Sequence, residues 1–416
     1  CAGAGVCAGV LAAAVFSVAP AAAQTQAWNP FRTETASFSN QTYNRDFVRR
    51  WEANPARGYA TLSPDNIAAT KKAVARYAKI VKDGGWPKIK AVKLRNGQSG
   101  AAVLLLRKRL TASGHLRGTS YYPNHFGYTL EKALKRFQAT NGLSPTGITD
   151  RRTVAALNIS AKTRLRQLRI NLRRLRTLVK RTKRRHLVVN IPAQQIEAIA
   201  NDRVVSRHAG VVGKIDRKTP RLSSRIHEIN FNPVWRLPPT VIRKDLIPRG
   251  RSMQRNKRDV LTEFGIDAYS GGRKLDPKKV NWNSSQPYNL SYRQQPGKDN
   301  PLGFAKINFH NAHSVYLHDT PSDRIFGRNF RAASSGCVRV SNIETLLTWL
   351  LENNDGWSRR AIDGIKESGK TKTVRLKKAV PLHMVYLTAW ATPDGVVQFR
   401  RDIYRRDGVG RLAAAY

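Results

Sequence analysis

Two side chains in the C-terminal part of the chain can do covalent chemistry together. His318 lies in SVYLHDT, and Cys337 follows nineteen residues later in ASSGCVRV. A cysteine that attacks an acyl group needs a thiolate, a base or cation to create it, and donors for the oxyanion that forms. His318 supplies the base. The Ser335-Gly336-Cys337 backbone supplies N–H donors, because Gly336 permits a tight turn and close approach of a substrate. Arg339 stands two residues on, so in an extended strand it shares a face with Cys337. There it can lower the thiol pKa or hold a substrate carboxylate bidentately. The other two cysteines are Cys1 and Cys7, so Cys337 has no partner for a disulfide once the first residues are removed. A lone cysteine also has a plainer reading as a small buried apolar residue. The Cys/His spacing alone leaves both open.

Other residues near this pair invite functional readings and mostly do not sustain them. His310 and His313 are three apart, which on a strand turns them to opposite faces. No metal and no cofactor is therefore expected. Asp319 reads as a loop hydrogen-bond acceptor rather than a third catalytic group. Trp235 reads equally well as core or as cleft wall.

The elements that must position these residues follow from patterning. Residues 1–23 carry no charge and end in Ala21-Ala22-Ala23, which reads as a cleavable signal peptide. An uncleaved membrane anchor is the alternative. Residues 24–60 are a polar linker with room for one short helix. Ser63-Pro64-Asp65 opens a helix that stops at Gly84-Gly85. Residues 61–160 form an N-terminal helical region. Within it, about 91–160 hold three short helices with glycine stops, carrying Val103, Leu106, Leu110, then Leu130, Ala133, Leu134, Phe137, then a helix opened by Asp150. Over 161–185 Leu165, Leu168, Leu172, Leu175 and Val179 make one apolar stripe on a connecting helix whose other faces are almost all Arg and Lys. From His186 to 408 the pattern turns to short β-rich runs, interrupted over 250–300 by a segment rich in Gly, Asn, Ser and Lys. That segment reads as a mobile, lid-like insertion rather than an added core. Residues 409–416 are a tail. The fold class is α+β: a small three-helix module plus a mostly β catalytic domain.

Charge narrows the partners. The chain has 74 basic and 27 acidic residues, a net charge of +47, and 41% hydrophobic residues. A wholly disordered chain is excluded, and polyanions are attracted. Export argues against nucleic acid, so the candidates are anionic envelope polymers or lipids and carboxylate-rich wall.

Two stretches carry a resemblance. AAVLLLRKRLTASG with YTLEKALKRFQATNGLSPTGITDRRTVAALN resembles the three-helix bacterial peptidoglycan-binding module. NIP, VVGKIDRKTP, NFNPVWRLPPTV, YRQQPGKDNPLG, VYLHDTP and SSGCVRV together strongly resemble the L,D-transpeptidases. The likeness is greatest to their long Gram-negative branch, with a binding module and a lid insertion. The resemblance implies that Cys337 is the acylated nucleophile and His318 the acid/base. It implies that the backbone carbonyl of Tyr316 orients the histidine, and that Asn232, Trp235 and Arg339 contact substrate. Ser335 stands where shorter members have His. The implied reaction attacks the diaminopimelate–D-Ala bond of a tetrapeptide stem, releases D-Ala, and passes the acyl group to another stem as a 3→3 cross-link. Peptidoglycan stems and glycan would be the partners, the periplasm the location, a monomer the state, and carbapenems would acylate the thiol. L,D-carboxypeptidase or D-amino acid exchange activity on the same stems is the alternative within the family. A non-catalytic wall-binding protein is the alternative outside it, although both Cys337 and His318 are present.

Overall fold

The computed structural model describes residues 45–90 and 92–409. The proposed signal peptide, Cys1, Cys7 and residues 24–44 of the linker lie outside the described residues, as do residues 410–416.

The last part of the expected linker is packed. Helix α1 (Arg45–Ala53) sends Glu52 into an ion pair with Arg331 at 3.0 Å, and both side chains are at least nine-tenths buried. Helix α2 (Pro64–Lys82) starts on a proline, whose missing N–H would be unpaired there anyway. The preceding Ser63 makes no capping bond with its side chain. Gly84 and Gly85 end the run at positive φ.

Three helices then share one core: α3 (Ala101–Ala112), α4 (Tyr128–Thr140) and α5 (Arg151–Leu157). Val103, Leu106, Leu110, Leu130, Leu134 and Phe137 all meet inside it. Gln138 pins the connecting loop. Its amide donates to the Ile148 carbonyl, and its oxygen accepts from the Gly147 N–H at 2.8 Å. Asp150 caps α5 by accepting from the Thr153 N–H at 2.7 Å.

Helix α6 (Ala161–Val179) buries Leu165, Leu168, Leu172 and Leu175. Two of the cations flanking that stripe are turned inward rather than left on the surface. Arg164 is buried over the Phe399 ring and donates to Asn141, and Arg174 pairs with Asp407 at 2.6 Å. Both sit close enough to the leucines to be carried inward.

The catalytic domain is built on a nine-stranded sheet. Its strands are β1 (Arg185–Asn190), β2 (Gln195–Ala200), β3 (Arg203–Gly213), β4 (Leu222–Phe231), β9 (Ala305–Phe309), β10 (Leu317–His318), β11 (Ala332–Ser334), β12 (Val338–Val340) and β13 (Lys372–Val385), with β5 to β8 reserved for the insertion. They run β11-β3-β12-β10-β9-β4-β13-β1-β2, and β2 pairs back onto β3, so the sheet closes on itself. Its core takes Leu187, Ile226, Ile307, Leu317, Val338 and Val340 from the strands. Helices α10 (Ile343–Leu350) and α11 (Arg359–Ser368) add Leu346, Leu347, Leu350 and Ile362. A hairpin of β14 (Ala389–Ala391) and β15 (Val397–Phe399) packs on α2 and α6.

The insertion is not the loose segment its composition suggests. It holds β5 (Trp235–Arg236), β6 (Ile266–Ser270), β7 (Arg273–Lys274) and β8 (Ser291–Gln294) in a second, antiparallel sheet of order β5-β8-β6-β7. Helices α7 (Pro239–Val241), α8 (Ile247–Arg255) and α9 (Val260–Glu263) complete it. Ile247, Val260, Leu261, Ala268, Trp282 and Tyr292 form a separate buried core. Gly250 lies so close to Trp282 that a Cβ there would fall 2.3 Å from the ring. This is an added core, and it begins upstream of residue 250. Its apolar residues are scattered without period among Gly and Lys, which is why composition hides it.

Candidate active site

Three strands set the site by alternation. Strand β10 pairs with β12 in parallel, Leu317 opposite Val338 and His318 opposite Arg339. It pairs with β9 antiparallel, His318 opposite Lys306. Leu317, Val338 and Ile307 point into the core. Their neighbours therefore point the other way. One row holds Lys306, His318 and Arg339, so the imidazole stands between two cations. In the next row Tyr316 faces Cys337, and the Val338 N–H donates to the Tyr316 carbonyl at 3.0 Å.

Cys337 is a free thiol, partly buried against the edge of the core. Burial pushes its pKa up. The Tyr316 N–H and hydroxyl and the charges on Lys306 and Arg339 pull the other way without overcoming burial. The Trp235 indole N–H donates to the Tyr316 hydroxyl at 2.9 Å, which leaves that hydroxyl's proton for the sulfur. Lys306 sits 4.6 Å from the centre of the Tyr316 ring.

His318 is buried, and its pKa is lowered to about 3. Burial is the main cause, with Arg339 and Lys306 adding to it against the carbonyls of Asp319 and Pro301. Those two carbonyls lie near the ring, but Nδ1 makes no hydrogen bond of normal geometry. The Tyr316 carbonyl, expected to orient the histidine, accepts from the Val338 N–H, and Tyr316 gives its own N–H and hydroxyl to the sulfur. Asp319 accepts from the Phe304 N–H at 2.9 Å. Burial raises its pKa to about 6.

The turn before Cys337 is braced from behind. Gly336 has φ 119°, a conformation few other residues adopt. Its N–H donates to the Ser334 hydroxyl at 3.2 Å, and Ser334 donates to the Cys337 carbonyl at 2.6 Å. Gly336 therefore shapes the turn, and its N–H is not free for an oxyanion. The Thr219 hydroxyl donates to the Gly336 carbonyl and accepts from the Gly213 N–H, both at 2.8 Å. Tyr404 closes the network, accepting from the Thr219 N–H and donating to the Gly213 carbonyl. Ser335 is exposed, and its hydroxyl accepts from Arg217 at 2.7 Å.

Between the sheet and the insertion lies a cleft of 870 Å³ lined by Trp235, Tyr316, His318, Cys337 and Arg339. Phe264 and Pro238 of the insertion form the facing wall. Trp235 is thus a cleft residue. Asn232 is not: it is buried, and its amide donates to the carbonyls of Ile365 and Lys370, both at 3.0 Å. Its φ of 43° turns the chain out of β4. His313 lines the cleft, whereas His310 stacks on His227 with ring centres 4.1 Å apart. Lys306, Arg217 and Thr219 were not foreseen. The alternation of KINF could have flagged Lys306. Each of the other two meets the turn before Cys337 through a partner more than a hundred residues away, Ser335 for Arg217 and Gly336 for Thr219.

Comparison with known proteins places these features. Residues 184–372 match the family model described as the L,D-transpeptidase catalytic domain, YkuD. Residues 99–157 match one described as "Putative peptidoglycan binding domain". A curated protein of Haemophilus influenzae described as "Putative L,D-transpeptidase" is 31% identical over 231 residues, 55% of this chain and 45% of its own length. The alignment thus spans less than half of that relative. Among solved structures, an L,D-transpeptidase of Xylanimonas cellulosilytica is 16% identical, covering 72% of this chain and 98% of its own, with a TM-score of 0.24. One from Stackebrandtia nassauensis is 13% identical, covering 72% and 96%, with a TM-score of 0.26. The sequence matches, rather than these low scores, carry the relationship.

Proposed function

The chain carries an L,D-transpeptidase catalytic domain joined to a peptidoglycan-binding domain, and on that premise we propose that it forms 3→3 cross-links by cysteine acyl transfer. The observation that carries this reading is the placement of Cys337, Tyr316, His318 and Arg339 in one cleft, with Lys306 next to His318 on the same sheet face. In the proposed reaction the Cys337 sulfur attacks the carbonyl of the bond between diaminopimelate and D-Ala. Its proton passes to His318, which is neutral and so able to accept it. His318 and Cys337 are diagonal neighbours across β10 and β12, since His318 stands opposite Arg339. The reacting group fits between them. The tetrahedral oxyanion takes the Cys337 N–H. The C–N bond then breaks, the proton returns to the leaving amine, and D-Ala departs from a thioester. The amine of a second stem attacks next, His318 takes its proton, the C–S bond breaks, and the proton passes from His318 to the Cys337 sulfur. Lys306 and Arg339 favour the thiolate and attract stem carboxylates. The insertion shields the thioester from water.

Water or a free D-amino acid as acceptor would give a tripeptide stem or an exchanged stem from the same intermediate. The substrate requires an extracytoplasmic site, and we assign the chain to the periplasm. The test is digestion of purified sacculi with mass analysis of the products. Cross-linked dimers that vanish with Cys337→Ala support the reading. Tripeptide alone from the wild-type protein would replace it with carboxypeptidase activity.

A further inference from the structure

Helix α6 carries two opposed stripes. The leucines face the core, while Lys162, Arg166, Arg169, Arg173, Arg176 and Lys180 recur every three or four residues and are all exposed. The helix contains no acidic residue, and its nineteen residues extend these cations over roughly 28 Å.

The stripe does not end on a plain surface. Near its C-terminal end it meets a cavity of 490 Å³ between α6, the start of β4 and the end of β13. Arg173, Arg174, Arg181 and Arg221 line it. Only Arg174 has a carboxylate, that of Asp407; among the described residues Arg173, Arg181 and Arg221 make no ion pair. Partial burial lowers the pKa of Arg221, and the facing charges of Arg406 and Arg174 lower it further. Arg174 and Arg406 both lie against the Tyr386 ring, 5.7 and 5.6 Å from its centre. The rest of the cavity is largely apolar, with Leu178 and Met384 in its wall.

Guanidinium groups crowded without a counterion call for an oxyanion that several forks can share. The apolar wall calls for an alkyl part beside that anion. A free inorganic anion would leave the wall uncovered, whereas a lipid headgroup brings an alkyl part with it. The exposed cations extend the same character along a surface rather than around a point. We propose that this cavity binds the phosphate headgroup of an anionic lipid, with the basic stripe of α6 lying along the lipid surface. No helix among the described residues is long and apolar enough to cross a membrane, so docking would be peripheral. The cavity shares no lining residue with the cleft that holds Cys337.

The test is cosedimentation of the full chain with phosphatidylcholine vesicles carrying phosphatidylglycerol, against vesicles in which oleate supplies the same negative charge. Two double variants remove equal charge: Arg181→Gln with Arg221→Gln in the cavity, and Arg169→Gln with Arg176→Gln on the stripe. Each cation at an anionic surface is worth about fivefold in affinity. The stripe pair should therefore lose affinity for both vesicles alike. The cavity pair should lose about tenfold more on phosphatidylglycerol than on oleate, since charge-assisted hydrogen bonds to phosphate go with the guanidinium forks. Arg181→Lys with Arg221→Lys keeps the charge without the fork and should fall in between. Carbapenem acylation of Cys337 should be unchanged in every variant, which verifies folding and separates this result from the fate of the transpeptidase reading. Two outcomes overturn the proposal: equal losses from the cavity and stripe pairs on both vesicles, or binding of inorganic phosphate in calorimetry with no binding to vesicles.

Discussion

Arg217 grips Asp245 with both terminal guanidinium nitrogens, at 2.7 and 3.2 Å, and one of those nitrogens also reaches the Ser335 hydroxyl. Asp245 belongs to the insertion and Ser335 to the turn before Cys337. One side chain thus couples the insertion to that turn. The Asp245 side chain is 46% exposed, so the pair is worth about 1 kcal/mol at most. Asp245→Asn should speed labelling of Cys337 by a bulky maleimide up to about fivefold, and high salt should do the same to the wild-type protein. No change in either would mean that Arg217 only shapes the turn.

The titration of the site has a definite sign. His318 is held neutral down to about pH 3, so its imidazole carries no charge throughout the physiological range. The thiol lies above its usual value of 9.0. Alkylation of Cys337 by iodoacetamide should therefore keep rising with pH through 9, with no inflection between 6 and 7. An inflection there would reveal a thiolate–imidazolium pair, which this geometry does not provide.

Acid stability follows from the same class of group. His115 and His318 are lowered to about 3, and His208 and His383 to about 4, burial being the first cause in each. The unfolded chain takes up those protons near pH 6.5 and the folded one does not. Stability should be full above that value and fall as pH drops toward 4, by about 1–2 kcal/mol per histidine at pH 5. Chemical denaturation at pH 7 and pH 5 measures this, and replacing His115 with Gln should shrink the difference.

Lys306 offers a separable contribution. Lys306→Met keeps the stem beside Tyr316 and removes the charge near the sulfur. A cation at that range shifts a thiol by about one unit, so acylation by a carbapenem should slow about tenfold. His318→Ala should cost about 10²–10⁴. Equal effects from the two would contradict their different roles.

The inserted subdomain has its own melting behaviour to report. Trp282→Ala removes the largest buried ring of its core and should destabilise it by about 3–5 kcal/mol. Protease cleavage within 250–300 should then appear while Cys337 still reacts with a small β-lactam. The ratio of cross-linked dimer to tripeptide should drop. An unchanged ratio in the loosened protein would show that the subdomain does not protect the acyl intermediate.

What the sequence made legible was local. Alternation around Cys337 put Arg339 on its face, and the leucine spacing found α6. Alternation in KINF puts Lys306 on the face opposite Ile307, but register between strands is not written in any one strand, so its pairing with His318 could not be read. Asn232 looked like a substrate contact because it sits in a motif segment. Its partners, Ile365 and Lys370, come from another element altogether. The insertion misled for a related reason: Ile247, Leu261, Trp282 and Tyr292 find one another only in three dimensions.

Glu52 draws three parts of the chain to one carboxylate. It accepts from Ser144 of the helical module at 2.6 Å and from Asn329 at 2.9 Å and Arg331 at 3.0 Å in the catalytic domain. A module fastened this way is not a hook on a tether. The distance from the module to Cys337 is set by the protein, like the gap of a gauge. Were the module to hold glycan while Cys337 acts on a stem, as the proposed function requires, spacing along the wall would become part of the specificity.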